Sequence, residues 1–241
     1  AAAAGHELGN HSQTHPYDLA RLPRAQLERE IGDCHAALRR LHPHGRPPLG
    51  FRAPGYQLSL ELFDVLEAHG YRYDSSMWPC PPYYVAKLAV MGLMALRRER
   101  SASIIGAPQA QLGPTQPYRP DPHRPWRRGQ AGMVELPIAV TPGLRLPAIG
   151  TFMLLSSRLR ELLLAGLQRQ PFFNLELHGI DLIDAAADHI PAALVARQPD
   201  LRVPLKDKLS ALSETFEWVR DCCPILPLHE IAEEVQRHGS L

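Results

Sequence analysis

Short apolar segments alternate along the chain with longer segments in which apolar residues recur at helical spacing. In residues 24–41 apolar side chains such as Leu27 and Ile31 come every three or four positions, which predicts an amphipathic helix. Ser59 is typical of a helix N-cap and Gly70 of a helix end, so a second helix is predicted between them. Further helices are predicted at residues 84–97, 156–167, 205–219 and 229–237. Strands are predicted at residues 49–52, 71–73, 133–140, 172–178 and 225–228. This alternation indicates parallel βα units of an α/β domain.

One long segment interrupts the alternation. Residues 106–129 are rich in Pro, Gly, Arg and Gln and contain almost no aliphatic side chains, which predicts a long loop. Because no independent core follows it, we expect this loop to lie within a single domain that spans residues 1–241. The apolar run from Val85 to Leu96 lies just before the loop and is shorter than the roughly 18 residues that a membrane span requires.

Composition excludes several classes of protein. The chain has 241 residues, of which 45% are hydrophobic, so it can bury a sizeable core and is not disordered throughout. Lys and Arg number 26 against 25 Asp and Glu, and this balance argues against a general nucleic-acid partner. The four cysteines are too few and too scattered for a disulfide scaffold.

The segment Gly9–His15 contains two histidines four positions apart, His11 and His15. We expect this spacing to place both imidazoles on one side of a helical turn, where they could bind one metal ion. Imidazole nitrogen suits borderline cations such as Zn²⁺. Since the chain has 12 histidines, a chance or purely structural pair is the alternative.

Three further predicted strand ends carry polar side chains. Arg52 precedes a Pro-Gly turn and is either a surface residue or a fixed guanidinium that orients a carboxylate or substrate. Asp74 begins the sequence Asp-Ser-Ser-Met-Trp and is either a turn cap or a functional carboxylate. His178 ends an apolar strand pattern and is either a satisfied core residue or a functional group.

Taken in order, these motifs resemble the polysaccharide deacetylases, the NodB-homology domains of carbohydrate esterase family four. His11-Ser12-Gln13-Thr14-His15 is similar to the His-Ser/Thr-x-x-His motif of that family. The family's Arg-x-Pro, Asp-to-Trp and Leu-x-His motifs are matched, in that order, by Arg52 to Tyr56, Asp74 to Trp78 and Leu175 to His178. The resemblance implies an α/β fold, a distorted (β/α) barrel of about seven strands related to the TIM barrel.

The sequence also departs from the family pattern. The Asp-Asp strand that supplies the catalytic base and the third metal ligand is absent, so we expect an N-terminally truncated domain and an inactive fragment. Met77 stands directly before Trp78, where some members have an aspartate that tunes the acid histidine. Asp181 is a candidate to do that work from a position near His178.

The resemblance implies a metal-dependent hydrolase that removes N-acetyl groups from an amino-sugar polysaccharide or glycolipid. His11 and His15 would bind a divalent ion, Zn²⁺ or else Co²⁺, Ni²⁺ or Mn²⁺, in an open site. Arg52 would hold the absent aspartate ionised, and His178 would protonate the departing amine. Asp74 is placed with these catalytic residues. The backbone N–H of Tyr56 would stabilise the oxyanion, and Trp78 would face the sugar.

Other functions stay open at this point. The chain could be a carbohydrate-binding remnant without catalysis, or a deacetylase for a non-sugar amide. The apolar helix after Tyr84 and the loop 106–129 suggest a lipid-linked or membrane-proximal sugar, although a surface helix packed on the barrel is the favoured explanation. An N-acetylated sugar is the expected partner and nucleic acid is not. The sequence leaves both a cytoplasmic and a cell-envelope location in a bacterium open, as well as the oligomeric state.

Overall fold

The structure is a computed structural model that describes residues 2–98 and 105–239. The chain divides into two compact units, each of which is described by itself. The first comprises Ala1–Pro137 together with Leu226–Leu241, and the second comprises Ile138–Ile225. The first unit is therefore built from two separate stretches of chain, whereas the second is one continuous stretch.

Eight α-helices and five short strands lie in the described part of the chain. The helices are α1 (Arg24–Leu41), α2 (Leu60–Ala68), α3 (Pro81–Leu96), α4 (Gly150–Leu155), α5 (Ser157–Leu167), α6 (Ala192–Arg197), α7 (Leu205–Cys222) and α8 (Leu228–His238). The strands are β1 (Gly50–Phe51), β2 (Tyr73–Asp74), β3 (Pro120–Asp121), β4 (Arg124–Arg128) and β5 (Val134–Glu135). Short 3₁₀ turns connect several of these elements. No helix within the described ranges is long and apolar enough to cross a membrane.

The first unit contains a parallel sheet in the order β1-β2-β5. Asn10 pairs with Phe51 in the same parallel sense. The predicted parallel α/β arrangement is therefore confirmed for these strands. The expected barrel of about seven strands is not what the described residues form: they give this three-stranded sheet and a two-stranded antiparallel hairpin, β3–β4.

The core of the first unit explains why its helices form where the pattern predicts. Leu27 and Ile31 of α1 are fully buried and pack in the same apolar cluster as Phe51 of β1. The hydroxyl of Ser59 accepts a hydrogen bond from the amide of Leu62 at 3.2 Å, which confirms the predicted N-cap of α2.

Glu7 connects the beginning of the chain to its last helix within the first unit. Its carboxylate accepts a hydrogen bond from the hydroxyl of Tyr73 at 2.8 Å. The same side chain accepts from the backbone amide of His229 at 3.2 Å and lies 3.3 Å from the Nδ1 atom of that histidine. Residues more than 220 positions apart in sequence therefore meet at one carboxylate.

Three sequence predictions differ from the structure. The segment 106–129 is not a plain loop, since it contains a 3₁₀ turn and the β3–β4 hairpin. Residues 172–178 form no strand and contain only an isolated bridge between Ile149 and Glu176. Residues 225–228 do not form a strand, and Pro227 instead stands at the N-cap of α8.

The second unit packs α4 and α5 around an apolar cluster that includes Met153 and Leu163. Lys208 of α7 is fully buried, and its ammonium donates to the carbonyls of Ile180 and Ile183 at 3.3 and 3.0 Å. These two bonds satisfy a charge that would otherwise be expensive to bury. They also hold the 3₁₀ turn that follows His178.

Candidate functional site

Asn10 anchors the segment that carries the two histidines. Its backbone amide donates to the carbonyl of Gly50 and its own carbonyl accepts from the amide of Arg52, at 2.9 and 3.0 Å. Its buried side-chain amide donates to the carbonyl of Ile31 at 2.9 Å and to the hydroxyl of Tyr71 at 2.6 Å. The chain therefore leaves the sheet at a fixed point, one residue before His11.

The histidines do not lie on a helical turn, so that part of the prediction is wrong. Ser12 and His15 have φ angles of 67° and 58°, in the left-handed region. Two local hydrogen bonds hold this conformation: the amide of Ser12 donates to Oδ1 of Asn10, and the amide of His15 donates to the hydroxyl of Ser12. The chain forms a tight irregular loop that still brings the two rings together.

Glu30 of α1 holds the middle of this loop. Its Oε2 atom accepts hydrogen bonds from the backbone amides of Gln13 and Thr14 at 3.0 and 2.9 Å. Its Oε1 atom accepts from the hydroxyl of Thr14 at 2.6 Å. A carboxylate that accepts from backbone amides makes charge-assisted bonds, which are stronger than neutral ones. The loop is thus fixed to α1 by three contacts to one half-buried side chain.

The imidazoles of His11 and His15 are exposed, and their ring centres are 4.8 Å apart. Nδ1 of His11 lies 2.6 Å from the carbonyl oxygen of Arg52. Since a carbonyl only accepts, Nδ1 carries the proton and the lone pair is on Nε2, the arrangement typical of a metal-binding histidine. Imidazole nitrogen is a ligand that zinc prefers, so these two exposed rings are candidates for two of its ligands. Within residues 2–98 and 105–239, no three His, Cys, Asp or Glu side chains form a complete ligand set.

Arg52 lies next to this loop and points its guanidinium at the segment after β2. Its Nε donates to the carbonyl of Ser75 at 3.0 Å, and one terminal nitrogen donates to the hydroxyl of the same residue at 2.8 Å. The Ser75 hydroxyl in turn donates to the carbonyl of Leu136. The amide of Ala53 donates to the hydroxyl of Ser76 at 2.8 Å. The loops after β1 and β2 are therefore joined by hydrogen bonds at the carboxyl ends of their strands.

Asp74 forms a buried carboxyl pair with Glu135. The two residues are register partners on β2 and β5, and both are fully buried. Burial raises the pKa of both carboxyl groups, and a hydrogen bond joins the two side chains. Asp74 Oδ1 also accepts from the hydroxyl of Ser76, and Glu135 Oε1 from the amide of Met77. Such a pair retains a proton that it shares, and its observed contacts position the chain from Ser75 to Met77.

An aromatic cleft lies beside these loops in the first unit. Trp78 is buried and contacts Tyr56 edge-to-face and Tyr83 at a tilted angle, with ring centres 4.9 and 4.4 Å away. The rings line an open cleft together with Lys87 of α3. Burial lowers the pKa of the Lys87 ammonium. The cleft therefore combines aromatic faces with one partly desolvated cation.

The backbone amide of Tyr56, the predicted oxyanion donor, is engaged in a turn. It donates to the carbonyl of Ala53 at 3.2 Å, and Tyr56 itself has a φ of 61°. In this conformation the amide is directed into the turn between these two residues. The oxyanion role of Tyr56 stays a prediction.

The remaining predicted residues, His178 and Asp181, belong to the second unit. The His178 side chain is 46% exposed, and its Nε2 lies 3.9 Å from Oε1 of the buried Glu176. Asp181 Oδ2 accepts from the backbone amide of His178 at 2.8 Å. Burial raises the pKa of Asp181. Asp181 thus holds the main chain at His178, and Glu176 is the carboxylate that faces the imidazole.

Four polar residues in these arrangements were not singled out from the sequence. They are Asn10, Glu30, Glu135 and Glu176. Glu135 and Glu176 each interrupt an apolar segment, and a charge at such a position is a usable signal for a buried functional or structural group. Glu30 gives no such signal, since a glutamate on the polar face of an amphipathic helix is ordinary.

The comparisons with known proteins bear on the first of these loops. Residues 1–73 match the sequence profile described as polysaccharide deacetylase. Over this segment the chain is therefore similar to the polysaccharide deacetylase family. The matched segment contains the His11–His15 loop, Arg52 and Tyr56, and it ends one residue before Asp74. The match supports the predicted family for residues 1–73.

Among solved structures, the chain is similar to a Mycobacterium smegmatis protein that is described provisionally as a polysaccharide deacetylase. The two are 18% identical, with a TM-score of 0.47. The similarity covers 100% of the present chain and 66% of the other, so the chain spans less than two thirds of that protein. Among the curated proteins, none matches the chain.

Proposed function

We propose that the chain is part of a metal-dependent deacetylase that removes N-acetyl groups from an amino-sugar polysaccharide or glycolipid. The observation that carries the proposal is the His11–His15 loop inside the segment that matches the deacetylase family. The Nδ1 atom of His11 is oriented by the Arg52 carbonyl, which leaves Nε2 as the metal-binding nitrogen. Family membership supports hydrolysis of an amide bond and dependence on a metal.

His11 and His15 would hold the ion, Zn²⁺ or another divalent cation of similar preference, together with a carboxylate that the described residues do not supply. When bound, such an ion polarises a carbonyl and lowers the pKa of bound water. The residues of this chain set the direction of the two imidazoles. Asn10 fixes where the loop starts, and Glu30 fixes its middle.

Arg52, Tyr56 and Trp78 are proposed to bind and orient the substrate. Arg52 already spans to Ser75 through two donors, so its guanidinium has a fixed direction. The half-buried ring of Tyr56 suits the apolar face of a sugar ring, and Trp78, which is only 5% exposed, supports that ring through an edge-to-face contact. In the complete protein we propose a distorted (β/α) barrel, of which the three-stranded parallel sheet is one part.

His178 is proposed as the acid that protonates the departing amine. Oε1 of the buried Glu176 lies 3.9 Å from its Nε2 atom and is the carboxylate nearest to hand for orienting the imidazole. Asp181 fixes the backbone at the same residue. Asp74 was predicted to be catalytic, and its burial against Glu135 supports a positioning role instead.

The test compares metal binding and amine release from N-acetylhexosamine oligomers in the complete protein and its variants. His11→Ala and His15→Ala should each lower zinc affinity by about 100-fold or more and nearly abolish turnover. His178→Ala should remove most of the rate while metal content stays normal. His44→Ala is the matched control, since His44 is also an exposed histidine, and it should change neither quantity.

Two outcomes would contradict the proposal. If His11→Ala keeps full zinc binding and turnover, the pair is not the metal site. If the protein binds the oligomers and zinc but releases no amine from any N-acetylated sugar or simple amide, it is a carbohydrate-binding module.

A further inference from the structure

Helix α3 presents an apolar stripe to solvent. Its outward positions follow the i, i+3, i+4, i+7 pattern and are Val85, Leu88, Ala89, Gly92, Leu93 and Leu96. None of the residues of α3 is buried, and the exposed fractions of Val85 and Leu96 are 63% and 84%. A soluble helix normally turns this kind of stripe toward the core. Here the stripe is on the outside.

The opposite face of α3 contacts its own unit. Tyr83, Tyr84 and Lys87 are half-buried and line the aromatic cleft, and Met91 and Met94 are half-buried on the same side. This packing fixes the orientation of the helix. The apolar stripe therefore points away from the unit because the other side of α3 is already in contact with it.

Charge is segregated in the same part of the sequence. Residues 75–133 contain eight Lys and Arg but only two Asp and Glu, whereas the whole chain is nearly balanced at 26 and 25. From residue 75 to residue 98 there is no acidic residue at all. Arg97 and Arg98 are exposed at the end of α3, and Arg124 and Arg127 are further cations of this segment on β4. The 3₁₀ turn Pro108–Leu112 contacts both α3 and β4 and so connects these two basic elements.

We propose that α3 docks on the surface of an anionic phospholipid bilayer. An outward apolar stripe next to basic residues is the pattern of a helix that lies in the membrane interface, with its apolar face among the acyl chains. Basic residues beside it are attracted to an anionic surface, which strengthens the binding. A nucleic-acid partner would use the arginines but would leave the leucines and valines of α3 exposed, so the bilayer fits both features. The proposal rests on α3 and β4 alone and does not depend on the deacetylase function.

The test is sedimentation of the purified full chain with vesicles of phosphatidylcholine alone or mixed with phosphatidylglycerol. We expect binding to the mixed vesicles that weakens with salt. Leu93→Asp and, separately, Val85→Asp should each reduce it by about tenfold or more, because each removes apolar burial and adds a charge repelled by the surface. Arg124→Glu with Arg127→Glu should also reduce it by about tenfold or more.

The controls change equally exposed residues outside this surface. Leu144→Asp alters an apolar side chain that is 75% exposed, and Arg220→Glu reverses an exposed charge on α7. Both should bind vesicles like the unmodified chain. Thermal unfolding of every variant checks that the fold is intact; since Val85 and Leu93 are exposed, their substitution should leave it unchanged.

Several results would overturn the proposal. One is the absence of binding to anionic vesicles, and another is binding that Leu93→Asp and Val85→Asp leave unchanged. Light scattering that shows a dimer dissociated by Leu93→Asp, without vesicle binding, would assign the stripe to a second copy of the chain. Retention on an RNA homopolymer that is independent of Leu93, again without vesicle binding, would assign the arginines to nucleic acid.

Discussion

The His11–His15 loop and the loop after β2 are neighbours in the same unit, yet they are built in opposite ways. The histidine loop is exposed, contains two residues of left-handed backbone, and is held from outside by the carboxylate of Glu30. The loop after β2 is buried and is held from inside by the Asp74–Glu135 pair. One keeps its side chains accessible to a ligand, and the other gives the first a rigid neighbour.

Arg52 connects the two loops. Its carbonyl orients the imidazole of His11, while its guanidinium binds both the carbonyl and the hydroxyl of Ser75. Exposed side chains that could bind a ligand can therefore be oriented by groups that do not contact the ligand themselves. Substitutions that act on one loop, on the other or on the connection between them should therefore have separable effects.

The largest expected effect comes from breaking the buried loop. Glu135→Ala leaves the Asp74 carboxyl without its partner and the Met77 amide without its acceptor. Since both groups are buried, we expect the free energy of unfolding to fall by about 3 kcal/mol or more, measured by urea denaturation. Glu135→Gln keeps a polar group in place and should cost clearly less. Equal stability of both variants and the unmodified chain would show that the pair does not hold the loop.

A smaller effect should follow from altering the connection. Arg52→Lys keeps the positive charge but loses the planar group that reaches two atoms of Ser75. In the complete protein we expect turnover to fall by about tenfold or more, while the free energy of unfolding changes by less than about 1 kcal/mol. Unchanged kinetics would make Arg52 a surface residue without a role in the site.

Removing the contacts that hold the exposed histidine loop should weaken metal binding more clearly than it lowers the stability of the fold. Glu30→Ala removes three hydrogen bonds to Gln13 and Thr14. We expect zinc affinity, measured by calorimetry, to fall by about tenfold, and the free energy of unfolding by about 1 kcal/mol. Glu28→Ala is the control, because Glu28 is an exposed glutamate of the same helix whose bond to Arg24 lies elsewhere. If Glu30→Ala and Glu28→Ala bind zinc with equal affinity, Glu30 does not help to position the metal ligands.

The pH dependence of stability should sharpen the contrast between the loops. Burial raises the pKa of Asp74 and Glu135, so the folded state keeps a proton that the unfolded chain releases above about pH 4. The stability that the pair contributes is full below that pH and is lost as pH rises through its raised pKa. The slope stays below about 1.4 kcal/mol per pH unit for one proton. The double variant Asp74→Asn, Glu135→Gln should flatten this slope, whereas Glu30→Ala should not.

Sequence reasoning located what depends on local pattern and missed what depends on strand register. The core of α1, the Ser59 cap and the closeness of His11 to His15 were predicted because each follows from spacing along one segment. The Asp74–Glu135 pair was not, since 61 positions separate the two residues and only the pairing of β2 with β5 brings them together.

Two errors have a physical explanation. The histidine spacing was assigned to a helical turn, but the side chains of Asn10 and Glu30 satisfy the loop amides without one. Spacing alone does not reveal that a distant side chain will replace a helical hydrogen bond. Residues 172–178 have the apolar composition of a strand, yet they form only an isolated bridge, because a strand also needs a neighbour to pair with and composition does not supply one.

The contacts of Glu7 limit when the first unit can be completed during synthesis. The second unit is one uninterrupted stretch, so all of it has left the ribosome before α8 is made. The first unit needs both Tyr73 and His229 to complete the contacts of Glu7. During synthesis more than 200 residues must therefore be added after Glu7 before His229 is available to contact it. A nascent chain halted after Ile225 has every histidine of the candidate site. It still lacks α8, which carries the His229 that contacts Glu7.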